Sequence, residues 1–136
     1  MQKDGEKYTL PKSPAPGKAM IYVVRPYSGG GGYIFNVFVD DKEPASEMGY
    51  TRGGQYICFN LEPGKHLILS SAGNWAEMEV NAKTGEIIYV RQRPRTGYLP
   101  ELYWNELSLV SECEGKYLVR RLEPGVLKHA DKPETK

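Results

Sequence analysis

Apolar and polar residues alternate with the two-residue period of β-strands along most of this chain. Residues 19–24 are apolar and partly β-branched, and together with Arg25 before Pro26 they predict a buried strand over 19–25. In 55–61, Ile57, Phe59 and Leu61 share one face, and 75–82 alternates in the same way. Further strands are predicted over 33–39, 66–71, 86–93 and 102–110, and a short segment over 45–50 precedes a turn at 52–54. Pro94 is expected to end the strand before it, because proline cannot donate to a ladder.

The pattern changes to helical spacing after Ser111. Ser111 and Glu114 fit a capping box, in which the serine side chain accepts from the third helical N–H. Apolar residues then recur at helical spacing until Pro124. Gly115 costs such a helix about 1 kcal/mol relative to alanine. One helix is therefore predicted near residues 112–122.

These elements predict a mainly β protein. Short strands at even spacing indicate an antiparallel β-sandwich or a small open barrel, with one short C-terminal α-helix over an edge or an end. Residues 19–126 form a single β domain in this interpretation. Residues 1–18, rich in proline and lysine, are expected to be a disordered lead-in or spacer, and 127–136 a polar tail.

Composition narrows the function classes. The chain has 136 residues and 18 basic against 17 acidic ones, a formal net charge of +1. A general nucleic-acid binder is normally strongly basic, so we expect no nucleic-acid partner. No apolar run approaches the roughly 20 residues of a membrane-spanning helix, and no apolar signal-peptide core follows Met1.

The two cysteines, Cys58 and Cys113, leave two alternatives open. They are buried free thiols of a reducing compartment, or they form one disulfide across a long loop. Their number and spacing do not fit a four-cysteine zinc site, and we expect no metal and no cofactor.

Two groups of residues are the candidates for a binding surface. Arg91, Arg93 and Arg95 fall on one strand face, where guanidinium groups can hold phosphate or carboxylate bidentately. Tyr98, Tyr103 and Trp104 flank a loop and could stack on sugars or anchor a protein partner. The alternatives are a solvated cationic face and a Trp104 packed in the core.

Catalytic chemistry has weaker support. Glu77 and Glu79 lie roughly 7 Å apart on one strand face, a spacing that paired carboxylates of glycosidases can have. They are expected to face water, and His66 is expected to be a structural or rim residue. No catalytic residue is assigned, and a small hydrolase is kept only as an alternative.

An ordered series of motifs resembles the bacterial DUF2846 family, a domain of unknown function in Gram-negative envelope proteins. Those motifs begin with Gly17-Lys18-Ala19 and the run 21–26, and continue through 37–42, 54–56, 63–66, 85–91 and 107–115. Asp41 stands where the family usually has a turn glycine. The resemblance covers about residues 17–122. It implies a β sandwich, often behind a lipoprotein signal, and it offers no catalytic residues to transfer.

The sequence thus favours a non-enzymatic domain of the cell envelope that binds a partner or stabilises an assembly. Its partner would be an unknown envelope protein or a cell-wall component. The resemblance implies a periplasmic protein or an outer-membrane lipoprotein, with residues 1–18 as the spacer after a lipid anchor. A carbohydrate- or peptidoglycan-binding module that uses Tyr98, Tyr103 and Trp104 is the alternative.

Overall fold

The computed structural model describes residues 12–26, 33–96 and 103–131. Its first strands are β1 Ala19–Arg25, β2 Phe35–Val39, β3 Glu47–Thr51, β4 Gln55–Leu61 and β5 Gly64–Ser71, with a 3-10 turn at Pro44–Ser46. They are followed by β6 Trp75–Ala82, β7 Ile87–Thr96, β8 Tyr103–Val110, helix α1 Glu112–Arg121, β9 Glu123–Pro124 and β10 Val126–Leu127. The predicted mainly β fold with one C-terminal helix is confirmed.

The strands form two five-stranded sheets that do not close into a barrel. The first sheet has the order β8-β7-β1-β4-β9 and the second the order β10-β3-β2-β5-β6. Of the two predicted architectures, the structure is therefore the sandwich. The first sheet is mixed rather than antiparallel, because β1 runs parallel to β7 and β4 runs parallel to β9.

The parallel pair has a simple cause. The sequence Lys83-Thr84-Gly85 is typical of a hairpin turn, but β6 and β7 are not paired and belong to different sheets. The connection crosses between the sheets, and the main chain of Lys18 and Met20 bonds to Gly85 and Glu86. This contact starts β7 beside β1 in the same direction.

The sandwich core lies between the sheets and consists of aliphatic and aromatic side chains that alternate along each strand. From the first sheet these include Ile21, Val23, Phe59 and Val90. The opposite, outer face of the first sheet holds a second cluster, in which Tyr22, Tyr56 and Tyr89 pack under Val119 and Leu122. Both faces of the first sheet are thus covered, one by the second sheet and the other in part by α1.

Helix α1 begins as the sequence predicts. The Ser111 side chain accepts a hydrogen bond from Glu114 N, the predicted cap. Gly115 faces the first sheet, and a Cβ built there would lie 2.2 Å from Cγ of Tyr89. The glycine that weakens the isolated helix therefore allows the helix to lie directly on the tyrosine ring.

Pro94 does not end β7. The strand continues to Thr96 and pairs with β8 from Tyr89 to Thr96, with Pro94 opposite Asn105. The pairing with β1 stops at Arg91. Beyond that point β7 has no β1 neighbour to which residue 94 would have to donate, so proline is tolerated.

The structure also moves the predicted domain ends. Leu127 belongs to β10, Lys128 N donates to Met48 O, and Asn60 N donates to Ala130 O. At the other end, Lys12 N donates to the Tyr22 hydroxyl. The stretches 12–18 and 127–131 are therefore attached to the sandwich, and residues 1–11 lie outside the described part.

Candidate functional site on the outer face of β7 and β8

Strand pairing brings three of the candidate binding residues onto one surface. In the antiparallel pair β7–β8, Arg91 lies opposite Ser108, Arg93 opposite Glu106 and Arg95 opposite Trp104. Directly paired residues of antiparallel strands point to the same side of a sheet. Arg91, Arg93 and Trp104 therefore lie on the outer face of the first sheet, beside Glu106, and we call Arg91, Arg93 and Trp104 the basic face.

The basic face begins where α1 no longer covers the outer face of the first sheet. Arg91 is half-buried, and its Nη1 lies 3.5 Å from Oε1 of Glu114 in the first turn of α1. Arg93, one step further along the face, is exposed. Trp104 is 47% exposed, which excludes the alternative that it packs in the core. Over a few residues, the outer face thus passes from a covered surface to an open one.

Arg93 is the exposed cation of this face, and it lies directly opposite Glu106. Arg93 makes no hydrogen bond or ion pair with any residue in the described ranges, whereas Arg91 is already engaged by Glu114. A guanidinium beside an indole offers both a fork for carboxylate or phosphate and a flat apolar surface for stacking. The arrangement can therefore bind an anion that carries a flat ring.

The other aromatic candidates are not joined to this face by the structure. Tyr103 pairs with Thr96 at the end of the β7–β8 ladder. The side chains of Tyr103 and Arg95 lie outside the described part, and Tyr98 lies outside the described residues altogether.

A layer of buried polar side chains lies on the inner side of the β7–β8 strand pair, which we call the ribbon, and faces the second sheet. Gln92 and Asn105, on the inner sides of β7 and β8, are almost fully buried. Gln92 Oε1 accepts from the Thr51 hydroxyl at 2.5 Å, and its Nε2 donates to the Ser70 hydroxyl at 2.9 Å. Asn105 is held by Asn74, whose Oδ1 accepts from Asn105 N at 2.8 Å. These bonds join the two sheets at this end of the sandwich and fix the ribbon that carries the basic face.

Arg25 continues this layer at the end of β1. Its side chain is 0% exposed, and Nη1 donates to the main-chain oxygens of Tyr33 at 2.7 Å and Thr51 at 3.0 Å. The guanidinium also lies 3.6 Å from the centre of the Phe35 ring. Burial lowers the pKa of Arg25 to about 10, so the group remains charged at neutral pH.

Sequence reasoning missed the polar layer. Its members interrupt the apolar alternation at inward positions, such as Gln92 after Ile88 and Val90. A polar residue at an expected core position is a usable signal, because buried polar groups need partners. The partners themselves come from β3, β5 and the β5–β6 loop, and no spacing along the chain identifies them.

The residues considered for catalysis lie apart from one another. Glu77 and Glu79 are exposed on β6 in the second sheet. His66 is held at both ring nitrogens, by the Asp40 carboxylate at 3.1 Å and by Glu62 O at 2.6 Å. Within the described residues, no group of three or more His, Cys, Asp and Glu side chains could hold a metal ion.

The cysteines are both free thiols, so the structure does not contain the disulfide alternative. Cys58 is half-buried on the outer side of β4 and packs against the cluster under α1, whereas Cys113 is exposed on the helix. Burial, the largest effect, raises the pKa of the Cys58 thiol, which makes it a poor nucleophile at neutral pH.

Fold and surface together define a class: a mainly β sandwich with one covering helix and an open face that combines arginines with a tryptophan. No family model matches the chain. No curated protein matches it either. Among the described residues, no helix is both long and apolar enough to span a bilayer.

Proposed function

We propose that this protein is a non-enzymatic binding domain of the bacterial cell envelope, and that the basic face holds its ligand. The observation that carries this proposal is that Arg93 and Trp104, both exposed, lie on the same outer face of the paired strands β7 and β8. The resemblance to the DUF2846 family supports an envelope role. On this proposal the protein works in the periplasm or is attached to the outer membrane.

The ligand that fits the basic face is an anionic cell-wall component. Indole rings stack on the apolar faces of sugars, and arginine forks match carboxylate and phosphate groups. Peptidoglycan fragments combine sugar rings with peptide carboxylates. Peptidoglycan binding is therefore the second candidate function within this proposal, and the exposed Trp104 favours it over a purely protein partner.

The test is isothermal titration of the purified protein with soluble peptidoglycan fragments. We expect Trp104→Ala and Arg93→Gln each to weaken binding about tenfold, which corresponds to about 1.4 kcal/mol. Tyr117→Ala is the matched control, because Tyr117 is equally exposed but lies on α1 rather than on the basic face. We expect it to leave the affinity unchanged.

Two results would contradict the proposal. One is an affinity that does not change in the Trp104 and Arg93 variants, or no binding at all. The other is turnover of the fragments, detected by mass spectrometry and lost on substitution of Glu79 or His66, which would make the protein an enzyme.

A further inference from the structure

A second concave surface lies at the other end of the β7–β8 ribbon from Trp104. It forms where β6, the β6–β7 connection, the end of β8 and the start of α1 meet, and it encloses about 290 Å³. Because β6 and β7 belong to different sheets, this cleft lies along the side of the sandwich.

The cleft has an apolar lining. Leu109, one of its lining residues, is 64% exposed, the largest exposure of any large apolar side chain in the described residues. Ile87 and Val110 contribute further apolar surface. An aliphatic group placed here would remove this surface from water, and each buried CH₂ group contributes about 0.8 kcal/mol.

The rim of the cleft is acidic. Glu79 comes from β6, Glu86 from the β6–β7 connection and Glu112 from the first turn of α1, and none of the lining residues is basic. Glu112 has Lys116 Nζ at 2.9 Å, and Glu86 accepts from Lys83 N at 3.1 Å. Glu79 has no hydrogen-bond or ion-pair partner among the described residues.

An independent feature at the same place is the hydroxyl group of Tyr89. Tyr89 lines the cleft beside Glu112, and its side chain is only 2% exposed. Its hydroxyl is buried and has no hydrogen-bond partner in the described part of the chain. An unpaired buried hydroxyl costs free energy at the wall of the cleft. Burial and, next, the charge of Glu112 raise the pKa of Tyr89 to about 12, so the phenol stays a donor.

We propose that this cleft binds a basic peptide segment of another protein, in which lysine or arginine alternates with aliphatic residues. One cationic head meets Glu79 and a second competes with Lys116 for Glu112, while the aliphatic side chains cover Leu109 and Ile87. Charge complementarity selects this occupant, because three carboxylates around an apolar lining exclude an acidic or a purely apolar segment. The site is independent of the basic face, which has the opposite charge.

The test uses two fluorescein-labelled pentapeptides, one with lysines between aliphatic residues and one with glutamates in the same positions. Fluorescence anisotropy with the whole protein should show binding of the lysine peptide only, weakening as salt is added. Glu79→Gln and Glu112→Gln should each weaken binding about fivefold, and Leu109→Ser by a similar factor. All three positions are exposed, so the variants should fold, which circular dichroism checks.

Glu77→Gln is the matched control, since Glu77 lies two residues before Glu79 on the same face of β6 but does not line the cleft. We expect it to leave the affinity unchanged. Equal losses at Glu77 and Glu79 would overturn the proposal, as would absence of binding or equal binding of the glutamate peptide. Self-association of the protein that the lysine peptide cannot reverse would assign the cleft to a second copy and also overturn it.

Discussion

The outer face of the first sheet has two halves that use the same strands differently. At one end, Tyr22 and Tyr89 lie under α1 with ring centres 5.5 Å apart and are closed off from water. At the other end, Arg93 and Trp104 project from β7 and β8 with nothing from the described chain over them. The contact of Arg91 with Glu114 marks the border between the two.

What separates the halves is the length of one short helix. Residues of β7 that lie under α1 bury apolar surface and so stabilise the fold. Residues of the same strand beyond α1 are open to a ligand. Substitutions should therefore sort into two groups according to their position along the ribbon. The following predictions test that division, from the largest expected effect to the smallest.

Truncation of the covered half should have the largest effect. Tyr89→Ala removes a buried ring that stacks on Tyr22 and contacts the helix, and we expect a loss of about 3–5 kcal/mol in the free energy of unfolding. Urea unfolding followed by tryptophan fluorescence measures it. Tyr117→Ala, on the exposed side of α1, is the control, and a similar loss there would contradict the division.

Gly115→Ala should destabilise the fold by about 1–3 kcal/mol through overpacking, although alanine favours helix by about 1 kcal/mol. The new methyl group would meet the base of the Tyr89 ring, which cannot swing away. In a Tyr89→Ala background the same change should become neutral or stabilising, because the obstacle is gone. Thermal unfolding of the wild type, the two single variants and the double variant measures this. An equal loss of stability from Gly115→Ala in both backgrounds would contradict the overpacking explanation.

Alkaline pH should weaken the covered half selectively. Burial and then Glu112 raise the pKa of Tyr89 to about 12 from an ordinary value of 10.0, and burial raises the pKa of Tyr22 in the same direction. Between these values the unfolded chain releases a proton that the folded chain retains, so stability is complete below about pH 10 and falls as pH rises. Urea midpoints at pH 8 and 11 measure the fall. Tyr89→Phe should make this fall in the urea midpoint smaller. An unchanged fall in the variant would argue against burial of the Tyr89 hydroxyl.

The open half should show the smallest change in stability. Trp104→Ala removes a ring that is nearly half exposed, and we expect a change of about 0.5 kcal/mol or less, as for other surface positions. Differential scanning calorimetry checks this value. A loss as large as that of Tyr89→Ala would mean that Trp104 belongs to the packed structure.

Local patterns in the sequence predicted much of the fold. The bounds of β1, β4 and β6 agree with the predicted ranges 19–25, 55–61 and 75–82, because alternation and turn residues are local signals. The Ser111 cap is equally local. The parallel pairing of β1 with β7 was not predicted, since it depends on a crossover between sheets that leaves no period in the sequence.

The candidate site was predictable only in part. Alternation alone predicted Arg91, Arg93 and Arg95 on one face, but the register that brings Trp104 to the same face as Arg93 comes from the pairing of β7 with β8. The cleft around Glu79 and Glu112 was not predicted at all, because its rim joins Glu79 of β6 in the second sheet with Glu112 of α1. Local chemistry identifies candidate side chains, whereas topology decides which of them meet.

The most direct test of this account is a crossed measurement of stability and ligand affinity on two variants of one ribbon. We predict that Trp104→Ala keeps the free energy of unfolding and loses about tenfold in affinity for peptidoglycan fragments. Gly115→Ala should lose stability and keep its affinity while folded. If both variants lost stability and affinity together, or if Trp104→Ala bound as well as the wild type, the division of the outer face would be contradicted.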